Sequence, residues 1–342
     1  RVQHVILWII AMSGVECAAV AAVTFSKQFD FTSLPFSGNG PFGRKLAYDT
    51  VTIEMPPSTK CQGGRCQISA TIEVPQQTAS ASETKFPVVI VSPGFMVGMD
   101  RYETYAGRLT SWGYVTVRWE TQGEYLPFCI NSHATLAKMI EALVSWVQEY
   151  SVSPNSPLHG LCDLSPGVLL VGHSRGAKAN SLMAAWNTTA VAAVVNLDPV
   201  DVSGFDSTDD HALPILSNSS AAFLTVGSQL GSETFAGTAC APAEQGFRRF
   251  YAESDSPAWM VEVLHAGHMQ FLDDAPPGCI QCGIMRALCV EGPLPDWVVR
   301  EVSQTAMIAW FKHVLDGADL SPYLQDWAAY LDSAGIAFSH FK

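Results

Sequence analysis

Residues Val168 to Ala177, Val-Leu-Leu-Val-Gly-His-Ser-Arg-Gly-Ala, leave this chain few folds to choose from. Four apolar residues, Val168 to Val171, read as a strand buried on both faces of a parallel sheet. Gly172-His-Ser174-Arg-Gly176 follows, then a helical run from Ala177 to Asn187 with Leu182, Met183 and Trp186 spaced for one buried face. A G-x-S-x-G between a strand and a helix is the setting of a nucleophile elbow, the sharp turn that lifts a serine hydroxyl above a sheet. Glycines suit positions 172 and 176 because a Cβ at either would collide with the neighbouring strand or helix.

The flanking chain supplies the rest of such a sheet. Val51–Glu54 and Ile68–Val74 alternate like antiparallel strands, joined through a turn flanked by Cys61 and Cys66. Continuous apolar runs at Pro87–Val91, Tyr114–Trp119, Ala190–Leu197, Ala221–Val226 and Trp259–Leu264 read as parallel strands. Between and after them lie helical stretches. One runs from Tyr102 to Trp112, closed by Gly113, and one from His133 to about Tyr150, capped by Asn131-Ser132. A long amphipathic helix spans Trp297 to Leu315, and the tail from Tyr323 to Leu331 adds another. Residues 24–45 read as an irregular arm, 75–85 and 201–220 as polar loops, and 231–256 as a long excursion. Strands alternating with helices predict a mostly parallel central sheet flanked by helices, the α/β-hydrolase fold.

A serine hydroxyl needs a base to take its proton and a third group to hold that base. In this fold the order along the chain is Ser, acid, His. Of the histidines after Ser174, His313 falls inside the last long helix, where a solvated surface role suits it, and His340 in the tail. His211 comes too early, and His265 ends a strand. His268 follows Ala266-Gly267 in the loop past the last strand and is the expected base. The loop after 221–226, the commonest place for the acid, has none before Glu233. The preceding strand ends in Asp198, which is the first choice, with Asp201 second and Glu233 third. The backbone amide of Arg175 and that of Phe95, in the turn Pro93-Gly94-Phe95, are the expected oxyanion donors, with Met96 as the neighbour that serves instead.

The net charge of −13 and pI near 5.0 argue against nucleic acid and against purely electrostatic binding to an anionic membrane. They leave room for an uncharged, lipid-like substrate and for peripheral contact with a lipid surface. The apolar run Val5–Met12 behind Arg1 reads as a targeting segment over residues 1–21, with Ala19-Val-Ala21 as a cleavage site, ahead of one catalytic domain over 22–342. The expected destination is the chloroplast or the secretory route. Eight cysteines follow Cys17, an even number that suits disulfides in an exported chain. Cys61 and Cys66 suit a local bridge. Cys279-Ile-Gln-Cys282 lacks the partners of a zinc set, which favours structural bridging or free thiols.

Three blocks together resemble the chlorophyllase family: Gly-His-Ser174-Arg-Gly, Leu197-Asp198-Pro-Val-Asp201, and Ala266-Gly-His268-Met-Gln-Phe-Leu-Asp-Asp274. Spacing and order match over roughly residues 85–315. Ala177 stands where plant members usually carry a second Gly, and Pro93-Gly94 stands where they carry His-Gly, as in a divergent, algal relative. The resemblance implies Ser174 as nucleophile, Asp198 as acid and His268 as base. It implies hydrolysis of the phytyl ester of chlorophyll to chlorophyllide and phytol, with no cofactor, the magnesium belonging to the substrate. Such a substrate needs a wide apolar cleft, for which Phe95, Met96, Met99, Trp119, Phe128, Phe235 and Met269 are the candidate walls. The rival readings are another serine esterase, such as a platelet-activating-factor acetylhydrolase-like lipase or a polyester hydrolase, and a catalytically dead hydrolase that binds pigment or lipid.

Overall fold

The computed structural model describes residues 31, 34–57, 59, 61, 66–76, 84–122, 130–204, 210–235 and 237–342. The expected targeting segment, Cys17, Phe128 and Cys129 lie outside them.

Twelve strands are described: β1 (Gly43–Glu54), β2 (Gln67–Gln76), β3 (Phe86–Ser92), β4 (Val115–Thr121), β5 (Cys162–Asp163), β6 (Val168–His173), β7 (Val191–Leu197), β8 (Ala222–Ser228), β9 (Thr234–Phe235), β10 (Thr238–Ala239), β11 (Ala258–Val263) and β12 (Ala337–Phe341). The main sheet runs β1-β2-β4-β3-β6-β7-β8-β11-β12, with β5 paired to β3. The neighbours from β4 through β3, β6, β7 and β8 to β11 are parallel. The pairs β1–β2, β2–β4 and β11–β12 are antiparallel. This is the α/β-hydrolase architecture, with the expected hairpin at one edge, its turn closed by a Cys61–Cys66 disulfide.

The apolar runs become strands because both sheet faces are covered. One face packs Val89, Val91, Leu169, Val195 and Leu224 against α1 (Glu103–Ser111) and α6 (Asp296–Asp316). The other packs Val88, Ile90, Leu170, Val194 and Phe223 against α2 (His133–Val152) and α3 (Arg175–Trp186). At ~2 kcal/mol for each fully buried aliphatic side chain, these two layers dominate the favourable side of folding. The Ser132 hydroxyl accepts the Thr135 amide and fixes the start of α2. Gly317, left-handed at φ 67°, ends α6.

One expectation needs correction. The helix read as amphipathic is buried on every side from Val302 to Phe311, because the tail packs over it. That tail, a π turn (Pro322–Trp327) followed by α7 (Ala328–Ser333), brings Tyr323, Trp327 and Leu331 into the same core. The tail then returns as β12, pairing with β11 from Trp259↔Phe341 to Val263↔Ala337. The 231–256 excursion holds the β9–β10 hairpin and α4 (Phe247–Glu253). A last short helix, α5 (Ile280–Ala287), follows the Pro/Gly loop.

Candidate active site

Ser174, Asp198 and His268 follow β6, β7 and β11, at the carboxyl ends of parallel strands, where open α/β sheets form crevices. Main-chain bonds lock the three loops together. The Ser174 amide donates to the Leu197 carbonyl (2.9 Å), the Asp198 amide to Val226 (2.7 Å) and the Leu230 amide to Ala266 (2.9 Å).

The elbow is as sharp as the motif requires. Ser174 has φ 54° and ψ −117°, a conformation that costs a non-glycine residue ~1–3 kcal/mol and persists only where packing over-determines it. An ideal Cβ on Gly176 would lie 2.3 Å from the Ser92 carbonyl oxygen, and one on Gly172 2.6 Å from the Ala177 amide nitrogen. Strand β3 and helix α3 thus hold the turn from both sides.

The three side chains form a hydrogen-bonded row. His268 Nε2 lies 2.9 Å from Ser174 Oγ, and His268 Nδ1 lies 2.7 Å from Asp198 Oδ2. Asp198 is fully buried, and His268 and Ser174 nearly so. A buried carboxylate is tolerable only when its lone pairs meet donors. Asp198 meets three: the imidazole, the Ser228 amide on Oδ1 (2.8 Å) and the Ser228 hydroxyl on Oδ2 (2.7 Å). The loop that lacks an acid of its own therefore supplies the donors that steady Asp198.

The other candidates do not join this row, although Asp201 lines the cleft above it. Asp201 is buried but faces Lys178 (Nζ to Oδ1 3.4 Å), the Ala212 amide (2.7 Å) and the His211 ring (3.5 Å). Glu233 follows the turn Gln229–Ser232 on the exposed surface. His265 and His340 are exposed. His313 is half-buried rather than a free surface group, with Nδ1 2.8 Å from the Ala318 carbonyl and its ring against Trp310.

A narrow cleft of about 50 Å3, rather than the wide one expected, opens over the row. Phe95, Arg175 and Met269 line it, together with the apolar Val97, Val200 and Leu288, the polar His133, Asp201 and Ser203, and the Cys240–Cys289 disulfide. The Arg175 guanidinium sits 5.5 Å above the Phe95 ring, a cation–π contact that ties the elbow helix to the turn after β3. Met96, at φ 56°, lies on the far side of that turn and lines two neighbouring clefts. Trp119 is nearly buried, donates its indole N–H to Ser92 Oγ (3.0 Å) and edges one of those clefts. Met99 borders a charged groove beside Arg44 and Glu73. Phe235 is half-exposed on β9 and lines none of these cavities.

Sequence reasoning passed over His173, Tyr102, Ser228 and the two disulfides Cys240–Cys289 and Cys279–Cys282 as parts of the site region. For His173 the signal was its place inside the G-x-S-x-G. For Cys279–Cys282 it was the C-x-x-C spacing, read as structural bridging or free thiols and found as a bridge, whereas Tyr102, Ser228 and Cys240–Cys289 are brought in by loop juxtaposition.

A serine hydroxyl, an imidazole and a buried carboxylate in hydrogen-bonded sequence are the parts of an acyl-transfer site. No curated protein matches the chain. The chlorophyllase family model matches residues 49–328, most of its length, so the chain belongs to the chlorophyllase family, whose fold is that of the α/β-hydrolases.

Proposed function

We propose that the protein hydrolyses the phytyl ester of chlorophyll, giving chlorophyllide and phytol. The observation that carries this is the Ser174–His268–Asp198 row, 2.9 and 2.7 Å between its links, in a chain of this family.

The chemistry follows from the geometry. His268 Nε2 takes the Ser174 proton as Oγ bonds to the ester carbonyl carbon. The carbonyl oxygen becomes an oxyanion, for which the Arg175 and Phe95 amides are the donors, Arg175 being the first residue of α3 and Phe95 facing the same cleft. Asp198 holds the imidazolium and fixes its orientation. The imidazolium then gives its proton to the phytyl oxygen, and phytol leaves. Water, deprotonated by His268, attacks the acyl-enzyme carbonyl, and the proton returns to Ser174 as chlorophyllide is freed. Every proton moves among side chains, water and substrate, so the steps require no cofactor.

The apolar cleft wall suits a long hydrocarbon alcohol. A panel of chlorophyll, short-chain acyl esters and triglyceride, with products separated by chromatography, tests the reading. Chlorophyllide formation with the highest kcat/KM of the panel is expected. Turnover of short esters or triglyceride alone would assign a different serine-esterase activity, and no turnover with no fluorophosphonate labelling of Ser174 would leave only a binding role.

A further inference from the structure

We propose that His173 is a positioning residue that fastens the turn carrying Phe95 to the loop carrying His268. The inference rests on the hydrolase reading above and adds a part to that site.

His173 is the variable residue of the G-x-S-x-G just before Ser174, and it is buried. Its Nε2 lies 3.0 Å from the His268 carbonyl oxygen and its Nδ1 3.0 Å from the Tyr102 hydroxyl. A carbonyl oxygen only accepts, so Nε2 carries the proton. In a neutral ring Nδ1 is then an acceptor, and the phenol donates to it. The Tyr102 oxygen in turn accepts the Gly94 amide at 2.9 Å. The chain of donors is therefore Gly94 N–H to Tyr102 O–H to His173 Nδ1, and His173 Nε2–H to the His268 carbonyl. In the neutral ring each group has one role that fits. Burial, with the His268 ring next, holds His173 well below the ordinary imidazole range, and burial pushes the Tyr102 phenol up, so both stay neutral.

The relay presses directly on the turn it serves. A Cβ on Gly94 would sit 2.8 Å from His173 Nδ1. The His173 and His268 rings lie 4.7 Å apart, tilted 33°. The far end of the His268 loop has its own tie: the Thr104 amide donates to Asp273 Oδ2 (2.8 Å), and Arg101 Nε to the Asp273 carbonyl (2.8 Å). With that second brace intact, removing the relay should leave the fold standing while the imidazole and the Phe95 amide drift relative to Ser174. A drift of about 1 Å is enough to cost ~10²-fold in rate.

The test combines kinetics with a readout that needs no activity. Tyr102→Phe and His173→Phe are each expected to lower kcat on p-nitrophenyl butyrate by roughly 10- to 100-fold, with KM within about 2-fold. The double variant should be no worse than the poorer single, since both cut one chain. His173→Gln, which keeps a donor for the His268 carbonyl, should recover to within about 3-fold of wild type. Wild-type kcat in the folded single variants, a loss confined to KM, or multiplying losses would each overturn the proposal. If His173→Phe does not fold, Tyr102→Phe decides by the same criteria. Nitrogen NMR of histidine-labelled protein should show His173 as the neutral Nε2–H tautomer, and an Nδ1–H tautomer or an imidazolium would overturn the tie. An inactive wild type that still shows that tautomer would contradict the hydrolase reading and not the tie.

Discussion

Ser228 gives both of its donors to Asp198: its amide meets Oδ1 and its hydroxyl meets Oδ2, the oxygen that also faces His268. The acid and the loop that orients it thus come from adjacent strands, β7 and β8. Ser228→Ala removes the hydroxyl bond but leaves the amide. A lost bond to a buried charged group is worth ~1.5–3 kcal/mol, so kcat should fall about 10- to 100-fold. Steady-state kinetics on the preferred ester checks this; a wild-type kcat would show that the carboxylate holds its place without Ser228.

Gly231 packs against the same carboxylate. A Cβ there would lie 2.7 Å from Asp198 Oδ2 and 2.6 Å from Ser228 Oγ. Gly231→Ala must therefore displace one of them, and it should lower kcat by about 10-fold or more with KM little changed. A crystal structure of the variant should show the carboxylate or the hydroxyl moved.

Asp198 and Asp201 are three residues apart, yet their surroundings differ. Asp198→Asn keeps the shape of the row but loses its charge and favours the wrong imidazole tautomer, an exchange that costs about 10⁴-fold in kcat in a serine-protease triad. Asp201→Asn should leave kcat within a few-fold, because Asp201 faces Lys178 and His211 rather than His268. It should instead destabilise the fold by ~3 kcal/mol, since the Lys178 ammonium is fully buried beside it. Denaturant melts alongside kinetics separate the two effects. Loss of turnover in the Asp201 variant alone would reassign the acid.

Much of this was legible in the sequence for a simple reason. Strands buried on both faces must be apolar throughout, so β3, β6, β7, β8 and β11 stand out as runs such as Val168–Val171. The elbow was legible because only small residues fit at 172 and 176. Strand β12 was not, because Ala-Phe-Ser-His-Phe alternates only weakly, and its place depends on pairing with β11 after the tail has crossed α6. Wall residues were legible only in part. Met269 and Phe95 sit next to motif residues and reach the cleft, whereas Trp119, equally aromatic, is buried against Ser92 of β3 and edges a neighbouring cleft. The Cys240–Cys289 bridge spans 49 residues, and no local pattern could pair them.

That bridge joins the excursion after β8 to the segment after α5, and both of its cysteines line the cleft. Closing a loop of that length in the unfolded chain stabilises the fold by ~4 kcal/mol in the chain-entropy view. The double substitution Cys240→Ser with Cys289→Ser should therefore lower the denaturant midpoint. It should also raise KM for a bulky ester more than for a short one if the larger substrate reaches the wall that Cys240 and Cys289 line. Equal KM changes for both would place the bridge outside the substrate's reach.

Cys162 is buried, and burial pushes its thiol up to about 12. The thiolate is the reactive form, so iodoacetamide at pH 8 should leave Cys162 unlabelled in the folded protein and label it after denaturation, by peptide mapping. The linked effect has a fixed sign. The folded-state value is raised from 9.0, so its stabilising contribution is complete below about pH 9 and is lost as pH rises toward 12. A Cys162→Ala variant should lose less stability than wild type across that window.

Ser174, served by His268, is the proposed nucleophile toward the chlorophyll ester. Incubating wild type and Ser174→Ala with chlorophyll and quantifying chlorophyllide tests it most directly. Wild type should release chlorophyllide and phytol, and the variant should be slower by about 10³-fold or more. A Ser174→Ala protein that turns over chlorophyll at the wild-type rate would contradict the account.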